Sequence, residues 1–193
     1  MARTGDARDR LVRAAMTSFA ERGFHATTTR DIAAGAGMSP AAVYVHHASK
    51  EELLFLISLA GHDDALAVVT GAAAQSEDPA DRLREIVRAF TTWHAEHHTT
   101  ARVVQYEIGA LSPAHRKEIA ARRRGIEQVL REAIGYGVQR GVFSCADVPG
   151  TALAMLSLAI DVARWFRDDG DRSAAALGEL YGDLALRMVG HRG

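Results

Sequence analysis

The chain has 193 residues, 48 % of them apolar and 24 % charged, a balance typical of a folded globular protein and not of a disordered one. A single cysteine, Cys145, excludes an internal disulfide framework and a thiolate metal site built within one chain. The polar N-terminus leads into no apolar signal core, and the longest apolar run, near residues 152–160, is too short to span a bilayer. We therefore expect a cytoplasmic protein.

Charge is unevenly distributed along the chain, although the formal net charge is only −1. Residues 1–50 carry seven Lys and Arg against four Asp and Glu, whereas residues 51–193 carry sixteen against twenty. A mildly basic N-terminal part and an acidic remainder indicate that the N-terminal part binds an anion. The alternative is that this charge distribution arose by chance, because the counts are small.

Helical periodicity dominates the sequence, and no segment is convincing as a strand, so we expect an all-α protein. An amphipathic first helix, with apolar residues at three- and four-residue spacing, ends at Gly23. Thr28 and Asp31 form a pattern like a capping box, which begins a short second helix. Ser39 as a cap, with Pro40 at the first helical position, begins a third.

The remainder of the chain follows the same pattern. Ser49 and Glu52 form a capping box at the start of a long fourth helix. Pro79, Pro113 and Pro149 each lie in the first turn of a later helix, where the missing N–H costs nothing. The nine expected helices begin near residues 10, 29, 40, 50, 79, 101, 113, 149 and 174.

Two short helices joined by a tight glycine-containing turn, and packed on a longer first helix, are typical of a helix-turn-helix. The third helix would be the recognition helix, since the small side chains of Ala41 and Ala42 let its backbone approach base edges in the major groove. A helical hairpin that binds no nucleic acid is the alternative. Donors for phosphate oxygens would surround this helix at Thr28, Tyr44, His46 and Lys50.

The segment TTTRDIAAGAGMSPAAVYVHHASKEELL resembles the N-terminal signature of the TetR family of bacterial transcriptional regulators. The shared features are a Thr before the second helix, an Ile-Ala pair within it, an Ala-Gly turn, a Tyr and a His on the third helix, and a Ser-Lys-Glu-x-Leu motif. One position departs from the pattern, because His47 stands where the family usually has Phe. The matching positions are Thr28, Ile32, Ala33, Ala36, Gly37, Ser39, Tyr44, His46, Ser49, Lys50, Glu51 and Leu53.

The resemblance implies a nine-helix TetR-like fold, with a helix-turn-helix DNA-binding domain over residues 1–48 and a ligand-binding and dimerisation domain over residues 49–193. It implies a homodimeric repressor that binds a palindromic DNA operator and is released by a small effector. An enzyme and a structural adaptor are the rival classes, but no nucleophile elbow, phosphate loop or zincin motif supports an enzyme. The residues expected to contact DNA are Thr28, Thr29, Arg30, Ser39, Ala41, Ala42, Tyr44, His46 and Lys50.

Two C-terminal helices have the apolar surface that dimerisation requires. The helix from Thr151 is apolar nearly all round, and the last helix has a stripe through Leu177, Leu180, Leu184 and Met188. If that stripe packs on a symmetry mate, two helices from each chain form a four-helix interface. The alternative is that both helices only close the monomer core.

The effector site is expected to be an apolar cavity with a few polar groups. Gly135 and Gly137 could admit a ligand beside Tyr136, although plain core residues are the alternative for every position in this set. No bound cofactor is expected. The candidate ligand contacts are Phe90, Trp93, His94, Tyr106, Ile134 and Tyr136.

A histidine cluster offers one identity for the effector. His94, His97 and His98 have the spacing i, i+3 and i+4, and with His115 they could share a metal ion. A solvated cluster, favoured by the helix dipole near a helix end, is the alternative.

The C-terminal part offers a second identity. Residues 101–143 and 161–170 resemble TetR-type regulators of fatty-acid and steroid breakdown that respond to acyl-coenzyme A thioesters. Arg116, Lys117 and Arg122–Arg124 would then suit the phosphates of such a ligand, and a charged exposed face is the alternative.

Overall fold

The structure is a computed structural model that describes residues 2–47 and 49–192, without the side chains of residues 2–5 and 42. Over these residues the chain forms nine α-helices, one short 3₁₀ turn at Ile108–Ala110 and no strand, which confirms the all-α prediction. The helices are α1 Ala2–Ala26, α2 Thr29–Gly35, α3 Pro40–His46, α4 Lys50–Ala73, α5 Pro79–Glu96, α6 His98–Tyr106, α7 Pro113–Gln139, α8 Val148–Trp165 and α9 Ala174–Met188.

Helices α2, α3 and α4 begin where the sequence places their capping residues, whereas α1 begins at Ala2 and α6 at His98, both earlier than expected. The Thr28 hydroxyl accepts a hydrogen bond from the Asp31 amide, and the Asp31 carboxylate accepts one from the Thr28 amide at 2.8 Å, so the capping box of α2 is complete. Ser49 Oγ likewise accepts from the Glu52 amide at 3.0 Å. Ser39 is the N-cap residue of α3, but its hydroxyl makes no capping hydrogen bond.

The end of α1 differs slightly from the expected one. Gly23 has φ 78°, in the left-handed region that glycine adopts without strain, and it interrupts the helix. Helical backbone then resumes for one short stretch and ends at Ala26.

The chain divides into two compact units. The first contains residues 1–61 and 99–119, and the second contains residues 62–98 and 120–193. Helices α4 and α7 therefore contribute residues to both units. The functional boundary after residue 48 stays a prediction.

The first unit has its own apolar core. Its buried members come from α1, α2, α3, α4, α6 and α7, and from Leu111 between the last two helices. This arrangement fixes α2 and α3 on α1. The largest of the buried side chains are Leu11, Phe19, Ile32, Leu53, Leu54, Leu111 and Ile119.

The second unit is built on the close packing of α5 against α9. Gly178 and Gly182, one turn apart on α9, face the α5 backbone, where an added Cβ would lie 2.9 Å from Arg88 O or 3.0 Å from Arg84 O. Arg84 also donates hydrogen bonds to Asp183 and Glu179 of α9, each at 2.9 Å. Because these two glycines have no side chain, α5 and α9 can approach each other closely.

Helix α4 is the one described helix whose length and hydropathy would allow it to cross a membrane. Of the apolar stretch concerned, 44 % is buried inside the protein. Core helices of soluble proteins can have the same length and hydropathy.

Candidate functional site

The tight turn between α2 and α3 follows from local backbone chemistry. Gly37 adopts φ 65°, and the Met38 amide donates a hydrogen bond to Ala33 O at 2.9 Å, so the chain reverses directly after α2. Ile32 and Val43 are fully buried on the inner faces of the two helices. The turn and these inner faces make a helix-turn-helix.

The opposite face of α3 points to solvent. Ala41 is exposed, and the side chains of Tyr44 and Val45 are 64 % and 77 % exposed. Val45 was not among the predicted DNA contacts, although its position four residues after Ala41 places both on one helix face. The side chain of Ala42 lies outside the described residues. A helix with small and apolar side chains on its free face is suited to the floor of a major groove.

The N-terminus of α2 lies next to α3. Thr29 Oγ1 is 3.3 Å from the Tyr44 hydroxyl, and the Arg30 side chain is exposed. Hydrogen bonds from Thr28, together with the Arg22 guanidinium at 3.2 Å, lower the pKa of Asp31. The Thr28 hydroxyl therefore has a capping role in addition to any contact with DNA.

Lys50 is held by the backbone at the end of α1. Its Nζ donates hydrogen bonds to Phe24 O at 2.6 Å and Thr27 O at 2.7 Å, and it lies 4.2 Å from the centre of the Phe24 ring. Burial lowers the pKa of Lys50. An ammonium has three N–H donors, so one donor remains after these two bonds.

His47, the departure from the family pattern, is only 3 % exposed. Neither of its ring nitrogens has a hydrogen-bond partner within the described part of the chain, and Nδ1 lies 3.9 Å from Glu52 Oε1. Burial lowers the pKa of His47. The ring is therefore neutral at neutral pH and fills the position with an aromatic group, as Phe would. His46 is half-buried, and its carbonyl accepts hydrogen bonds from Arg8 at 3.3 Å.

Residues 99–119 are joined to the N-terminal helices by two carboxylates. Glu107 accepts from the Phe24 amide at 3.0 Å. Glu51 accepts from the Ser112 amide at 2.7 Å and bonds His115 Nδ1 at 2.8 Å. Burial alone would raise the pKa of Glu51. The hydrogen bonds from Ser112 and His115 have the larger combined effect and lower it. These bonds lie within the first unit, to which residues 99–119 belong.

The structure brings together only some of the predicted effector contacts. Phe90 and His94 are buried on α5 with their ring centres 4.3 Å apart, and half-buried Trp93 lies 5.0 Å from His94. Ile134, fully buried, belongs to the same core cluster as Phe90. Tyr106 is 63 % exposed and belongs to the first unit.

The surroundings of Tyr136 differ from the expected cavity wall. Its ring lies 5.1 Å from the Arg82 guanidinium and 5.9 Å from that of Arg140. An added Cβ at Gly137 would lie 2.0 Å from the Phe143 ring, so Phe143 fills the space that the sequence suggested for a ligand. Gly135, by contrast, has open space beside it.

The histidines do not converge on a metal site. The Nδ1 atoms of His94, His97 and His98 each lie 2.9 Å from a backbone carbonyl, those of Phe90, Trp93 and Ala95. The fourth candidate, His115, is bonded to Glu51 in the first unit. Within residues 2–47 and 49–192, no three His, Cys, Asp or Glu side chains are placed to share a metal ion. The metal alternative therefore has no geometric support.

The predicted phosphate-binding side chains have several different environments. Arg116 donates hydrogen bonds to the carbonyls of Leu111 and Gly109. Arg122 pairs with Asp63 at 3.1 Å, and Arg123 Nε donates to His62 Nε2 at 3.1 Å. Lys117 and Arg124 are exposed.

Helices α8 and α9 leave apolar side chains on the surface. Leu180 and Met188 of α9 are exposed and Leu184 between them is half-buried. Leu177 is only 2 % exposed and packs within the monomer against Val162 and Phe166, so its place in the outward stripe was wrong. On α8, the exposed apolar side chains are Leu153, Leu158 and Trp165.

These features define an all-α protein with a helix-turn-helix whose outer face is free, a class that binds DNA. Residues 11–57 match the profile described as "Bacterial regulatory proteins, tetR family", and residues 76–189 match "Tetracyclin repressor-like, C-terminal domain". The chain therefore belongs to the TetR family: it is a DNA-binding transcriptional regulator of the repressor type and not an enzyme.

Two similar proteins agree with this family, and a third shares the fold. A tetR-family regulatory protein of Rhodococcus RHA1 is 44 % identical with a TM-score of 0.92, over 97 % of this chain and 98 % of that one. The transcriptional repressor KstR2 of Mycolicibacterium smegmatis is 30 % identical over 95 % of this chain and 89 % of its own length. AibR, whose structure contains isovaleryl coenzyme A and operator DNA, shares the fold at 24 % identity and a TM-score of 0.83, over 96 % of this chain and all of that one.

Proposed function

We propose that this chain is a cytoplasmic homodimeric repressor that binds a palindromic operator and releases it when an effector binds. The observation that carries the proposal is the free outer face of α3, where Ala41, Tyr44 and Val45 are exposed while Val43 is buried. Selection of bound DNA from a random pool tests it directly. A selected palindrome supports the proposal, and a pool without enrichment contradicts it.

The DNA contacts follow from the same face. Ala41 and Ala42 would lie against base edges and Val45 against a thymine methyl, since small apolar groups recognise that methyl in the major groove. Tyr44, Arg30 and Thr29 would donate to phosphates, which fix the register of the helix without reading sequence. Three further side chains at the ends of the two short helices would contact the DNA backbone: Thr28, Ser39 and His46.

Lys50 gives a quantitative test of this interface. Its third N–H donor would bind a phosphate, so Lys50→Ala is expected to weaken binding to every sequence and to lower the slope of log affinity against log salt by about one unit. Fluorescence anisotropy with the selected operator at several salt concentrations measures this. Lys117→Ala, which removes an exposed lysine outside the interface, is the matched control and should leave the slope unchanged. A weaker Lys50→Ala protein with an unchanged slope would show that Lys50 only ties α4 to the end of α1.

The proposed effector is a small molecule with an apolar body, of which an acyl-coenzyme A is the leading example. The apolar core of the second unit contains Phe90, Ile134 and half-buried Trp93, which suit an apolar chain. The exposed Arg124, beside Arg122 and Arg123 on α7, supplies positive charge for phosphates. KstR2 of Mycobacterium tuberculosis, 28 % identical, is a ketosteroid transcriptional regulator, and ketosteroids are also largely apolar molecules.

The proposed mechanism is a shift of populations. The effector binds better to the conformation in which the two recognition helices no longer match successive major grooves, so operator affinity falls. Helix α4 would carry the movement because it contributes residues to both compact units. A preference of about 1.4 kcal/mol changes the conformational equilibrium only about tenfold, so strong release requires a larger preference.

Titration of the protein–operator complex tests the effector class. Acyl-coenzyme A thioesters of several chain lengths are expected to release the operator, whereas the matching free acids are not, because the acids lack the phosphates. Replacing Arg122–Arg124 with Gln should abolish release by the thioesters but leave operator binding intact. Release by the free acids alone would keep the apolar site and contradict the coenzyme site.

A further inference from the structure

A buried polar set lies within the second compact unit, whose interior is otherwise largely apolar. It consists of His62 from α4 and Thr91 and His94 from α5, with the half-buried Arg123 of α7 beside His62. His62, Thr91 and His94 are 9 %, 0 % and 6 % exposed. Arg123 and His62 share a hydrogen bond, and Thr91 and His94 are three residues apart on α5, a spacing that makes them neighbours on one helix face.

Thr91 is the unexplained member of this set. Its hydroxyl is fully buried and has no hydrogen-bond partner within the described residues. A buried hydroxyl without a partner lowers stability, and valine would fill the same shape without that cost. A side chain that costs stability without a structural return is expected where a protein binds something.

The protonation of the two histidines follows from their partners. Phe90 O can only accept, so His94 Nδ1, at 2.9 Å, carries the proton. Burial lowers the pKa of His94 to about 4, so the ring is neutral at neutral pH and Nε2 keeps its acceptor lone pair. Arg123 Nε donates to His62 Nε2 at 3.1 Å, which makes that nitrogen an acceptor and holds the His62 ring in place. Thr91 and His94 thus offer a hydroxyl and a neutral imidazole.

We propose that Thr91 and His94 bind an uncharged oxygen, a ketone or a hydroxyl, at the inner end of the effector. A ketone would accept from the Thr91 hydroxyl, and a ligand hydroxyl could in addition donate to His94 Nε2. This inference rests on the proposed function and refines it. It favours an effector whose apolar body carries an oxygen over one with a plain hydrocarbon chain.

Matched ligands test the inference by calorimetry on the DNA-free protein. The probes are octanoyl coenzyme A, its 7-oxo and 7-hydroxy counterparts, and the thioester with a carboxylate at the far end. One added hydrogen bond is expected to tighten binding of the oxo or hydroxy thioester about tenfold over octanoyl coenzyme A. Equal affinity for octanoyl coenzyme A and its 7-oxo and 7-hydroxy counterparts would overturn the proposal. Tightest binding of the carboxylate-bearing thioester would also overturn it.

Substitutions at Thr91 separate a binding role from a structural one. Thr91→Val is expected to reduce the preference for the oxygenated thioesters to less than about threefold while raising Tm by about 2–4 °C, because it removes the unpartnered hydroxyl. Thr91→Ser keeps the hydroxyl and should keep the preference. Thr92→Val is the matched control, since the Thr92 hydroxyl points to Ala174 O at 3.5 Å, and it should leave the preference unchanged. A preference that survives Thr91→Val would contradict the assignment.

A coenzyme-free probe distinguishes failure of this inference from failure of the proposed effector class. Androstenedione, a steroid with two ketones, replaces the thioesters in the same calorimetry, and operator binding is measured separately. If only the steroid binds, and Thr91→Val weakens steroid binding about tenfold, the oxygen site stands and the coenzyme site is wrong. If none of the ligands binds a protein that still binds its operator, the oxygen site is wrong.

Discussion

Replacing Leu184 with Arg is expected to convert the proposed dimer into monomers that bind the operator poorly. Leu184 is half-buried in the monomer and lies between the exposed Leu180 and Met188, at intervals of four residues along α9. If this stripe packs on a symmetry mate, the new guanidinium would be buried without a partner, at a cost of about 3–5 kcal/mol. A monomer presents only one recognition helix, so it loses half of the palindromic contacts.

Analytical ultracentrifugation at micromolar concentration, followed by operator titration, measures both effects. Ala121→Arg is the matched control, because Ala121 is exposed on α7 and gains the same charge away from the stripe. This control should stay dimeric and bind the operator normally. A wild-type protein that sediments as a monomer would end the dimer proposal, and a dimeric Leu184→Arg protein would place the interface elsewhere.

The second large effect concerns stability, where Gly178→Ala is expected to cost about 2 kcal/mol of the free energy of unfolding. The added methyl would lie 2.2 Å from Thr92 Oγ1 and 2.9 Å from Arg88 O. The Thr92 side chain can rotate away, but the backbone carbonyl cannot, so α9 must move off α5. Such overpacking typically costs about 1–3 kcal/mol. The expected loss of about 2 kcal/mol corresponds to a fall in Tm of about 4–8 °C for a chain of this length.

Gly135→Ala is the matched control for this prediction. It gives the same gain in helix propensity, about 0.5–1 kcal/mol, but the space beside Gly135 is open. The control should therefore raise Tm while Gly178→Ala lowers it. Both are measured at one protein concentration, because the Tm of the proposed dimer would depend on concentration. Equal shifts in the two variants would contradict the close packing of α5 and α9.

Local sequence patterns were sufficient to predict the helices and the class of protein. Capping depends on residues three apart, so Thr28 with Asp31 and Ser49 with Glu52 could be identified without knowing the fold. The tight turn at Gly37 is equally local, since it depends on the backbone freedom of one residue. These short-range patterns, with the resemblance of residues 27–54 to a known signature, were enough to predict a helix-turn-helix and its free helix.

The buried face of each later helix, by contrast, depends on how the helices pack against one another. Periodicity grouped Leu177 with Leu180, but packing on α8 buries the first and leaves the second on the surface. Tyr106 looked like a pocket residue and is exposed, whereas Thr91 gave no signal in the sequence and is fully buried. Burial depends on contacts between residues far apart in the chain, such as Thr92 beside Gly178, and no local pattern encodes such contacts.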